Sequence, residues 1–596
     1  MTLAASIRGD FILAGGPGAA QWLAQLPGFE VGHVTGSPIA LATRDSVQRG
    51  GVSASGERWL ALADLVQGNL EDAAGDTGAF PQKDWRGRFA FAGWRDDDST
   101  LHASTDHFGS LPLYWYQREG HYAVASDLRL LLGAPGVRRE ADPTAVYHYL
   151  NFACIPAPST ICRDVHRIEP GTRLDLGPET SRLTRYYIPA YPADLQGSDE
   201  KLATDLRERM VASVHAFRPQ ADAGWGCFLS GGTDSSSIVS ILSRQGGAQV
   251  QSCSIGFPEA GYDELDFARI TSEACGAKPH LAQVDHQRAL GLLDSVIEAY
   301  DQPFGNASAA PTLACAELGK AQGFSQMLGG DGGDEIFGGN QRYAKDKVME
   351  SFHGLPSPLK AAARAVGKAL GGGNNNLLNR VENFTKRASL PNPDRFYTDD
   401  SFASDYYEEL LTPELRKHVD RDASLDFMRG VYAKGTAAEP LHRIMRLDLM
   451  MAIAQNDLVK VHRACKHHGI SARFPYLDPA LVDHCGRLPA RYKVRGLKKR
   501  YLFKQAMAGI LPEAILSKRK QGFGMPISIW MKTDPALQAR VRDVLLDDRT
   551  RQRGWINPEF VTRLVELHMA GGWDHSAAIW QLLVLELWMR RYMDGH

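Results

Sequence analysis

The sequence predicts two domains of different classes: a layered β domain over residues 1–190, then a parallel α/β domain with added helices over residues 200–596. Short apolar runs separated by Gly, Asp and Ser turns dominate the first part of the chain. In the second part, helical periodicity alternates with short apolar strands. A chain of 596 residues is also long enough for at least two full hydrophobic cores.

In the first domain, the apolar runs 88–92 and 111–116 predict strands of a layered β structure. The Pro- and Tyr-containing stretch 186–192 follows them, and polar residues 196–199 come next. This composition is typical of a loop, so we expect the connection between the two domains here.

The second domain begins with helical periodicity over residues 202–216. The apolar runs 226–229 and 251–255 predict strands of a parallel sheet with crossover helices. Residues 345–450 are predicted to be mostly helical, with a break at the Gly- and Asn-rich run 371–376.

The composition is that of an ordinary globular protein, with 44% hydrophobic and 23% charged residues. Because 67 Lys and Arg nearly balance 69 Asp and Glu, no global field attracts nucleic acid or an anionic membrane, and we expect neither as a partner. The eight cysteines show no metal-binding spacing, which predicts reduced thiols. No run approaches the about 20 apolar residues of a membrane span, so we expect a cytoplasmic protein.

A phosphate site is predicted directly after the strand at 226–229. There a Gly-rich turn precedes a helical run at 237–243, so backbone N–H groups and the helix dipole favour an anion. Such a cluster alone is more typical of a plain turn, but its place between strand and helix favours phosphate binding. The chain lacks the Gly-Lys-Ser/Thr triplet of a P-loop, which favours cleavage at the α-phosphate. The predicted phosphate-binding residues are Ser230, Gly231, Gly232, Asp234, Ser235 and Ser236.

A second Gly-rich run, residues 329–335, carries carboxylates on a pliable backbone, which suits a hard cation. We expect Asp234 and Asp334 to share one Mg²⁺. The alternative is an acidic turn that caps a helix at Glu335.

These two runs, together with residues 262–264 and 517–524, resemble the synthetase half of the asparagine synthetase family. The resemblance extends from the connection to about residue 535. It implies an adenine-nucleotide α-hydrolase-like (PP-loop) fold with ATP and Mg²⁺ as cofactors. It also implies that Asp234 and Asp334 hold the metal, and that the adenosine is lined by Leu229, Ile255 and Gly330.

The same resemblance assigns catalytic roles. Lys520 matches the lysine beside the acyl-adenylate, where a positive charge stabilises the oxyanion; the alternative is a solvated basic run. Asp457 matches an acidic residue that takes a proton from the amine, with Asp331 as its partner, although Asp457 also suits a helix N-cap. Ser471 stands where the family usually has Glu, so acceptor recognition is expected to differ.

The first domain resembles the family's glutaminase half, a β-sandwich of the N-terminal-nucleophile type, in residues 86–92, 103–109 and 123–127. That half uses an N-terminal cysteine, whereas residue 2 is Thr2 and the first cysteine is Cys154, so we expect a degenerate domain. An N-terminal nucleophile role for Thr2 is the alternative. The glutamine-holding stretch also departs from the family pattern, its nearest equivalent being Gln67-Gly68-Asn69.

The resemblance therefore predicts a ligase that adenylates a carboxylate, releases AMP and pyrophosphate, and joins the acyl group to an amine. Members without the cysteine include lasso-peptide macrolactam synthetases and β-lactam synthetases, and we favour the first. The expected partners are then a peptide or small amino-acid-like substrate and a precursor-processing protease. The alternatives are an asparagine synthetase-like enzyme using free ammonia, another small-molecule amide ligase, and an inactive nucleotide-binding scaffold.

Overall fold

The computed structural model describes residues 9–33, 38–44, 48–49, 57–68, 85–95, 98–219, 224–259, 261–370, 376–518 and 524–594. The predictions on Thr2, on Asn69, on the run 517–524 with Lys520, and on the run 371–376 lie wholly or partly outside these ranges. Among the described helices, none combines the length and the apolar character needed to span a bilayer.

The first part of the described chain contains two antiparallel sheets packed as a sandwich. One sheet has the strand order β10-β8-β9-β1-β3-β2 and the other β12-β11-β7-β6-β5-β4. Inward-facing side chains from both sheets, among them Leu13, Leu62 and Trp94, share one buried apolar cluster. The predicted layered β domain is therefore confirmed. Its strands are β1 (Asp10–Gly15), β2 (Glu30–His33), β3 (Ile39–Arg44), β4 (Gln48–Arg49), β5 (Glu57–Gln67), β6 (Arg86–Arg95), β7 (Leu101–Thr105), β8 (Tyr114–Arg118), β9 (His121–Ala125), β10 (His166–Arg167), β11 (Thr172–Leu176) and β12 (Ser181–Arg185).

Two helices accompany the sandwich, α1 (Ala19–Leu23) and α2 (Pro143–Phe152). The start of α2 follows from its sequence, because the Asp142 side chain accepts hydrogen bonds from the first-turn backbone and Pro143 occupies a position that needs no N–H. The α2 side chains then pack against the second half of the molecule, where Tyr147 donates to the carbonyl of Arg421 at 2.6 Å.

The second part is built on a five-stranded sheet with the order β15-β14-β13-β16-β17, in which all neighbours are parallel. From β13 the chain adds β14 and β15 on one side and then crosses to place β16 on the other. The carboxyl ends of β13 and β16 therefore flank the point where the strand order reverses, which is where open α/β sheets bind ligands. The strands are β13 (Trp225–Phe228), β14 (Gln251–Gly256), β15 (Lys278–Gln283), β16 (Gln326–Leu328) and β17 (Ser471–Arg473).

Helices surround this sheet, and a short hairpin of β18 (Val494–Arg495) and β19 (Lys498–Lys499) projects beside it. A π-helical segment, Leu449–Asp457, lies between α18 and α19. The helices are α3 (Asp199–Ala216), α4 (Thr233–Arg244), α5 (Leu265–Cys275), α6 (His286–Gly291), α7 (Leu293–Ala299), α8 (Ala309–Ala321), α9 (Gly333–Phe337), α10 (Gln341–His353), α11 (Ser357–Leu370), α12 (Asn376–Ala388), α13 (Asp394–Tyr397), α14 (Phe402–Asp405), α15 (Tyr407–Leu410), α16 (Pro413–Arg416), α17 (Ala423–Ala433), α18 (Pro440–Asp448), α19 (Leu458–His467), α20 (Pro479–Arg487), α21 (Tyr501–Met507), α22 (Glu513–Ser517), α23 (Ile527–Thr533), α24 (Pro535–Leu545), α25 (Asp548–Gln552), α26 (Pro558–Met569) and α27 (Ser576–Tyr592).

Most predicted elements agree with the structure to within a few residues. The run 111–116 is an exception, because β8 begins only at Tyr114. Leu111 and Leu113 are buried in the sandwich core without belonging to a strand, since Pro112 between them has no N–H for a ladder.

Helix α19 connects the two halves of the molecule. Its His462 Nδ1 lies 3.0 Å from Arg88 Nη2 of β6, and its Arg463 Nη1 donates to Asp127 Oδ2 at 3.1 Å. Arg88 also donates to the carbonyl of Ala472 in β17. These groups are buried, and removing one partner of a buried charged pair typically costs about 3–5 kcal/mol. The first half of the molecule therefore helps to hold α19 in place.

Candidate active site

A pocket of about 830 Å³ lies at the reversal point of the parallel sheet. Its walls come from the segments after β13 and β16, the π-helical segment and the residues around β19. Most residues predicted from the sequence meet here although they are far apart in the chain. The predicted residues that line the pocket are Leu229, Ser230, Gly232, Asp234, Ser235, Ile255, Gly330, Asp331, Asp334 and Asp457.

The predicted phosphate-binding turn, residues 230–236 after β13, lies between a strand and a helix start as the sequence predicts. Gly231 has a φ of +71°, and a Cβ at this position would lie 2.7 Å from the Cβ of Phe267. Glycine is therefore required here. Gly232 directly precedes α4, a helix of twelve residues. The first backbone N–H groups of α4, at the positive end of the helix dipole, therefore face the pocket. This arrangement suits a phosphate.

The hydroxyl groups of Ser235 and Ser236 lie in different environments. Ser235 Oγ accepts a hydrogen bond from the Ser230 backbone at 3.2 Å and lies on the pocket wall. Ser236 is fully buried, and its hydroxyl accepts from Thr271 Oγ1 at 2.9 Å. Ser236 was predicted to bind phosphate, but the structure places it behind the pocket lining, where it ties α4 to α5.

The turn after β16 packs directly on the start of α4. A Cβ at Gly330 would lie 2.8 Å from the backbone N of Ser235 and 3.1 Å from the Cβ of Asp234. The close approach of the two loops therefore depends on the absence of a side chain at residue 330. This contact brings the predicted metal-binding residues Asp234 and Asp334 to one side of the pocket.

Arg500 joins these two carboxylates. Its guanidinium forms a bidentate pair with Asp234 and a further pair with Asp334, and the side chain is largely buried. Burial opposes the charge, but the two carboxylates raise the pKa of Arg500 above its ordinary value. A single cation can thus contact both Asp234 and Asp334 in this geometry.

The donor set at this point fits Mg²⁺. Within the described ranges, no group of three or more acidic, His or Cys side chains forms a complete metal site. Two carboxylates are nevertheless the usual protein contribution to Mg²⁺, which takes its other ligands from phosphates and water. Asp234 and Asp334 would hold the ion, and when bound it would neutralise charge on the pyrophosphate.

A second acidic pair, Asp331 and Asp457, also lines the pocket. Burial, and then the nearby carboxylate of Asp457, raise the pKa of Asp331 to about 7. Lys460 Nζ donates to Asp457 Oδ1 at 2.5 Å, and despite burial its pKa is raised by Asp457 and Asp331. A carboxyl group with a pKa near 7 is suited to accept a proton at neutral pH.

The conformation of Asp457 distinguishes between its two predicted roles, proton acceptor and helix N-cap. Its backbone is helical, with φ −66° and ψ −40°, and its side chain makes no capping hydrogen bond to α19. The carboxylate instead contacts Lys460 inside the pocket. Asp457 is also the last residue of the π-helical segment, a conformation often found at functional sites.

The wall of the predicted adenosine site is mainly apolar. Leu229 continues from β13 and donates through its backbone to the carbonyl of Cys253 at 2.9 Å. Ile255 lies nearby in β14, and both side chains are buried apart from their contact with the pocket. Burial raises the pKa of the Cys253 thiol to about 12, so this thiol stays protonated.

Lys518 is the last described residue before the segment that contains Lys520. Its Nζ lies 2.7 Å from Glu264 Oε1 and 3.2 Å from the carbonyl oxygen of Gly231, and the side chain is 6% exposed. This lysine therefore anchors its segment to the predicted phosphate-binding turn. Lys520 lies outside the described residues, and its catalytic role stays a prediction.

Sequence reasoning did not identify Arg500, Lys460 or Lys518. A signal existed for Lys460, which stands three residues after Asp457 and so shares its helical face. Arg500 ends the basic run Lys498-Lys499-Arg500, but only the tertiary structure shows that it contacts two distant carboxylates. Ser471 is buried in β17 and is not among the described residues that line the pocket.

Comparison with known proteins agrees with this arrangement. Residues 205–590 match the family model described as asparagine synthase, and residues 72–187 match that of a glutamine amidotransferase domain. The protein is thus an ATP-dependent ligase that forms carbon–nitrogen bonds. Because the first match covers more than half of the sequence, the chain belongs to the asparagine synthase family.

Similar curated proteins include two asparagine synthetases and one amidase. Asparagine synthetase (glutamine-hydrolyzing) 1 of Bacillus subtilis is 27% identical over 514 residues, which cover 85% of this chain and 79% of that protein. A putative asparagine synthetase of Mycobacterium bovis is 29% identical over 521 residues, covering 85% and 77%. Amidase chry2 of Gibberella zeae is 22% identical over 484 residues, covering 75% and 70%.

Proposed function

We propose that this ligase closes a macrolactam on a lasso precursor peptide, by adenylating a side-chain carboxylate and joining it to an amine of the same peptide. The observation that carries the proposal is that one pocket is lined both by Asp234 with the predicted phosphate-binding turn and by the carboxyl groups of Asp331 and Asp457. The pocket therefore has room both for a nucleotide and for an amine that must lose a proton.

In the first step, a carboxylate oxygen of the substrate attacks the α-phosphorus of ATP, and the bond to pyrophosphate breaks. The positive end of α4, with its first backbone N–H groups, supports binding of the negative phosphates there. The predicted role of Lys520 is to stabilise the oxyanion that forms in the next step.

In the second step, the amine nitrogen attacks the acyl carbon, the C–N bond forms and AMP leaves. The attacking amine must lose a proton, and the pKa of Asp331, raised to about 7, supports this carboxylate as the acceptor. Lys460 keeps a positive charge beside Asp457, which favours the ionised form of both carboxyl groups.

One contact supports a source of the amine other than glutamine. Gln67, in the stretch nearest to the family's glutamine-holding residues, accepts a hydrogen bond from Arg86 Nη1 at 3.1 Å. This side chain is therefore engaged within the protein. The size of the pocket, about 830 Å³, is near the upper end of the range for small-molecule sites and supports an acyl substrate bound beside the nucleotide.

The second candidate is formation of asparagine from aspartate and free ammonia. It is favoured by the similar proteins, two of which are named as asparagine synthetases. The acidic pair at Asp331 serves this reaction equally well, because ammonia also loses a proton when it attacks the acyl carbon.

Pyrophosphate release by the purified protein with ATP and Mg²⁺ tests both candidates. The acyl and amine sources compared are aspartate with ammonia, aspartate with glutamine, and a candidate core peptide. Release only with the peptide, together with a product lighter by one water, is the expected result. Pyrophosphate release with aspartate and ammonia alone would support the second candidate instead of the macrolactam synthetase. The absence of pyrophosphate release with every substrate, together with the absence of ATP binding, would indicate an inactive scaffold. Lys520→Ala serves as the loss-of-activity variant.

A further inference from the structure

The region of α10, α11 and α12 has a local excess of positive charge. Residues 341–388 contain nine Lys and Arg but three Asp and Glu, a net charge of +6. The whole chain, in contrast, has a net charge of -2. The overall balance of charge therefore conceals one strongly basic region, which can attract an anionic partner locally.

On α11 the charged side chains are all positive and lie on one side. Lys360, Arg364 and Lys368 recur every fourth residue, a spacing that places them along the same side of a helix. The sequence of α11 contains no acidic residue. Arg364 and Lys368 are exposed, and Lys360 Nζ donates to the carbonyl of His353 at 2.9 Å. This basic stripe therefore faces solvent with charge of a single sign.

A second stripe on the same helix is apolar and also exposed. Leu359 is 57% exposed and Val366 is 56% exposed. The exposed Ala362 lies between them at the spacing that keeps all three on one side of the helix. Leu355, in the turn before α11, is exposed as well. An exposed apolar stripe of this kind marks a surface that contacts a partner.

The apolar stripe is not the side by which α11 packs on the rest of the protein. Gly367 is buried against Thr385 of α12, with no room for a Cβ between them. Gly367 points about 100° around the helix from Val366. Because α11 packs mainly on α12, and α12 in turn on α10, α11 is the outermost of the three helices. Its apolar and basic stripes are therefore open to a partner.

We infer that α11 binds this protein to the surface of an anionic lipid bilayer, with the apolar stripe towards the acyl chains and the cations towards the lipid phosphates. A basic helix with an exposed apolar side is typical of such binding, since apolar burial and charge attraction act together. A helix of this kind lies on the bilayer and does not cross it. The inference therefore agrees with the lack of a membrane-spanning helix in the described ranges.

The two stripes together favour a bilayer over other anionic or apolar partners. A nucleic acid would supply negative charge but contacts proteins mainly through phosphates and sugars, which do not cover an apolar stripe. A second copy of α11 would supply an apolar stripe but would bring cations of the same sign together. A bilayer that contains anionic lipids supplies both kinds of contact.

Cosedimentation of the purified full chain with lipid vesicles tests the inference. Vesicles of phosphatidylcholine with phosphatidylglycerol are compared with vesicles of phosphatidylcholine alone. We expect binding to the anionic vesicles that falls several-fold between about 0.05 M and about 0.5 M salt, because salt screens the attraction. The double variant Leu359→Gln/Arg364→Gln should bind these vesicles about tenfold more weakly, since it loses one apolar contact and one cation.

The double variant Arg182→Gln/Leu183→Gln in β12 is the matched control. It removes the same two residue types from exposed positions in the first half of the molecule, so vesicle binding should stay as in the wild type. Glutamine is a good helix former, and the α11 variant should therefore keep its fold, which thermal unfolding checks.

Three results would overturn the inference. The first is a wild type that does not sediment with anionic vesicles at low salt, and the second is equal binding by the wild type and the α11 variant. In the third, the wild type does not bind vesicles but binds an acidic amphipathic helical peptide, and the α11 substitutions abolish that binding. This third result would assign the apolar and basic stripes to a protein partner.

Discussion

Replacing Asp331 by Asn should stabilise the protein at alkaline pH and at the same time impair amide formation. In the folded protein, burial and the charge of Asp457 raise the pKa of Asp331 from 3.8 to about 7. This difference in pKa means that folding is less favourable by about 4 kcal/mol when Asp331 is ionised than when it is protonated. The active-site carboxyl group is therefore predicted to reduce stability in order to serve the reaction.

The sign of the pH dependence follows from the two pKa values. Between pH 3.8 and about 7, the unfolded chain has lost the Asp331 proton while the folded chain keeps it, so stability falls as the pH rises. Above about pH 7, Asp331 is ionised in both the folded and the unfolded chain, and the loss of stability caused by its ionisation is complete. Asparagine does not titrate, so the advantage of Asp331→Asn grows by about 2 kcal/mol between pH 5.5 and pH 8.5.

Thermal unfolding of both proteins at about pH 5.5 and 8.5 measures this difference. The variant should have the higher Tm at pH 8.5, by an increment on the order of a few degrees, and a smaller advantage at pH 5.5. Asp266→Asn in α5 is the matched control, since the Asp266 side chain is 86% exposed and its replacement should leave the Tm difference independent of pH. An equal Tm difference for Asp331→Asn at both pH values would refute the reasoning.

Activity supplies an independent check on the same residue. If Asp331 accepts the proton of the amine, the wild-type rate rises as the pH increases through about 7. Asp331→Asn should reduce amide formation by about 100-fold or more, because it removes a general base. A variant that keeps the wild-type rate and pH profile would assign the proton transfer to another group.

Three other perturbations have clear expected outcomes. Gly330→Ala should raise the KM for ATP strongly, because a Cβ there would lie 2.8 Å from the backbone N of Ser235. An unchanged KM for ATP would show that the turns after β13 and β16 can move apart without loss of ATP binding. Lys460→Gln should lower kcat by about tenfold and move the rise in the pH profile to higher pH, since the charge that favours ionisation of Asp331 is lost; a profile that stays in place would contradict this. Arg88→Met should lower the Tm and slow amide formation together, because Arg88 supports α19, and a lower Tm with full activity would show that the first half of the molecule only adds stability.

Local sequence determined the parts of the site that depend on backbone conformation. The turn at Gly231 needs a positive φ, and its place between an apolar strand and a helix start is visible in the sequence. The second Gly-rich turn was predicted in the same way, while the role of Asp334 as a cation ligand stays a prediction. These features could be read because strands, Gly-rich turns and helix starts are set largely by neighbouring residues.

The meeting of side chains that are distant in sequence was decided only by the tertiary structure. Arg500 reaches Asp234 and Asp334 because α21 packs beside the turns after β13 and β16, and no local pattern encodes that contact. Ser236 shows the opposite case, since its helix was predicted correctly but packing against Thr271 turned its hydroxyl away from the pocket. Propensity and spacing act over a few residues, whereas the order of parallel strands fixes which loops share an edge of the sheet.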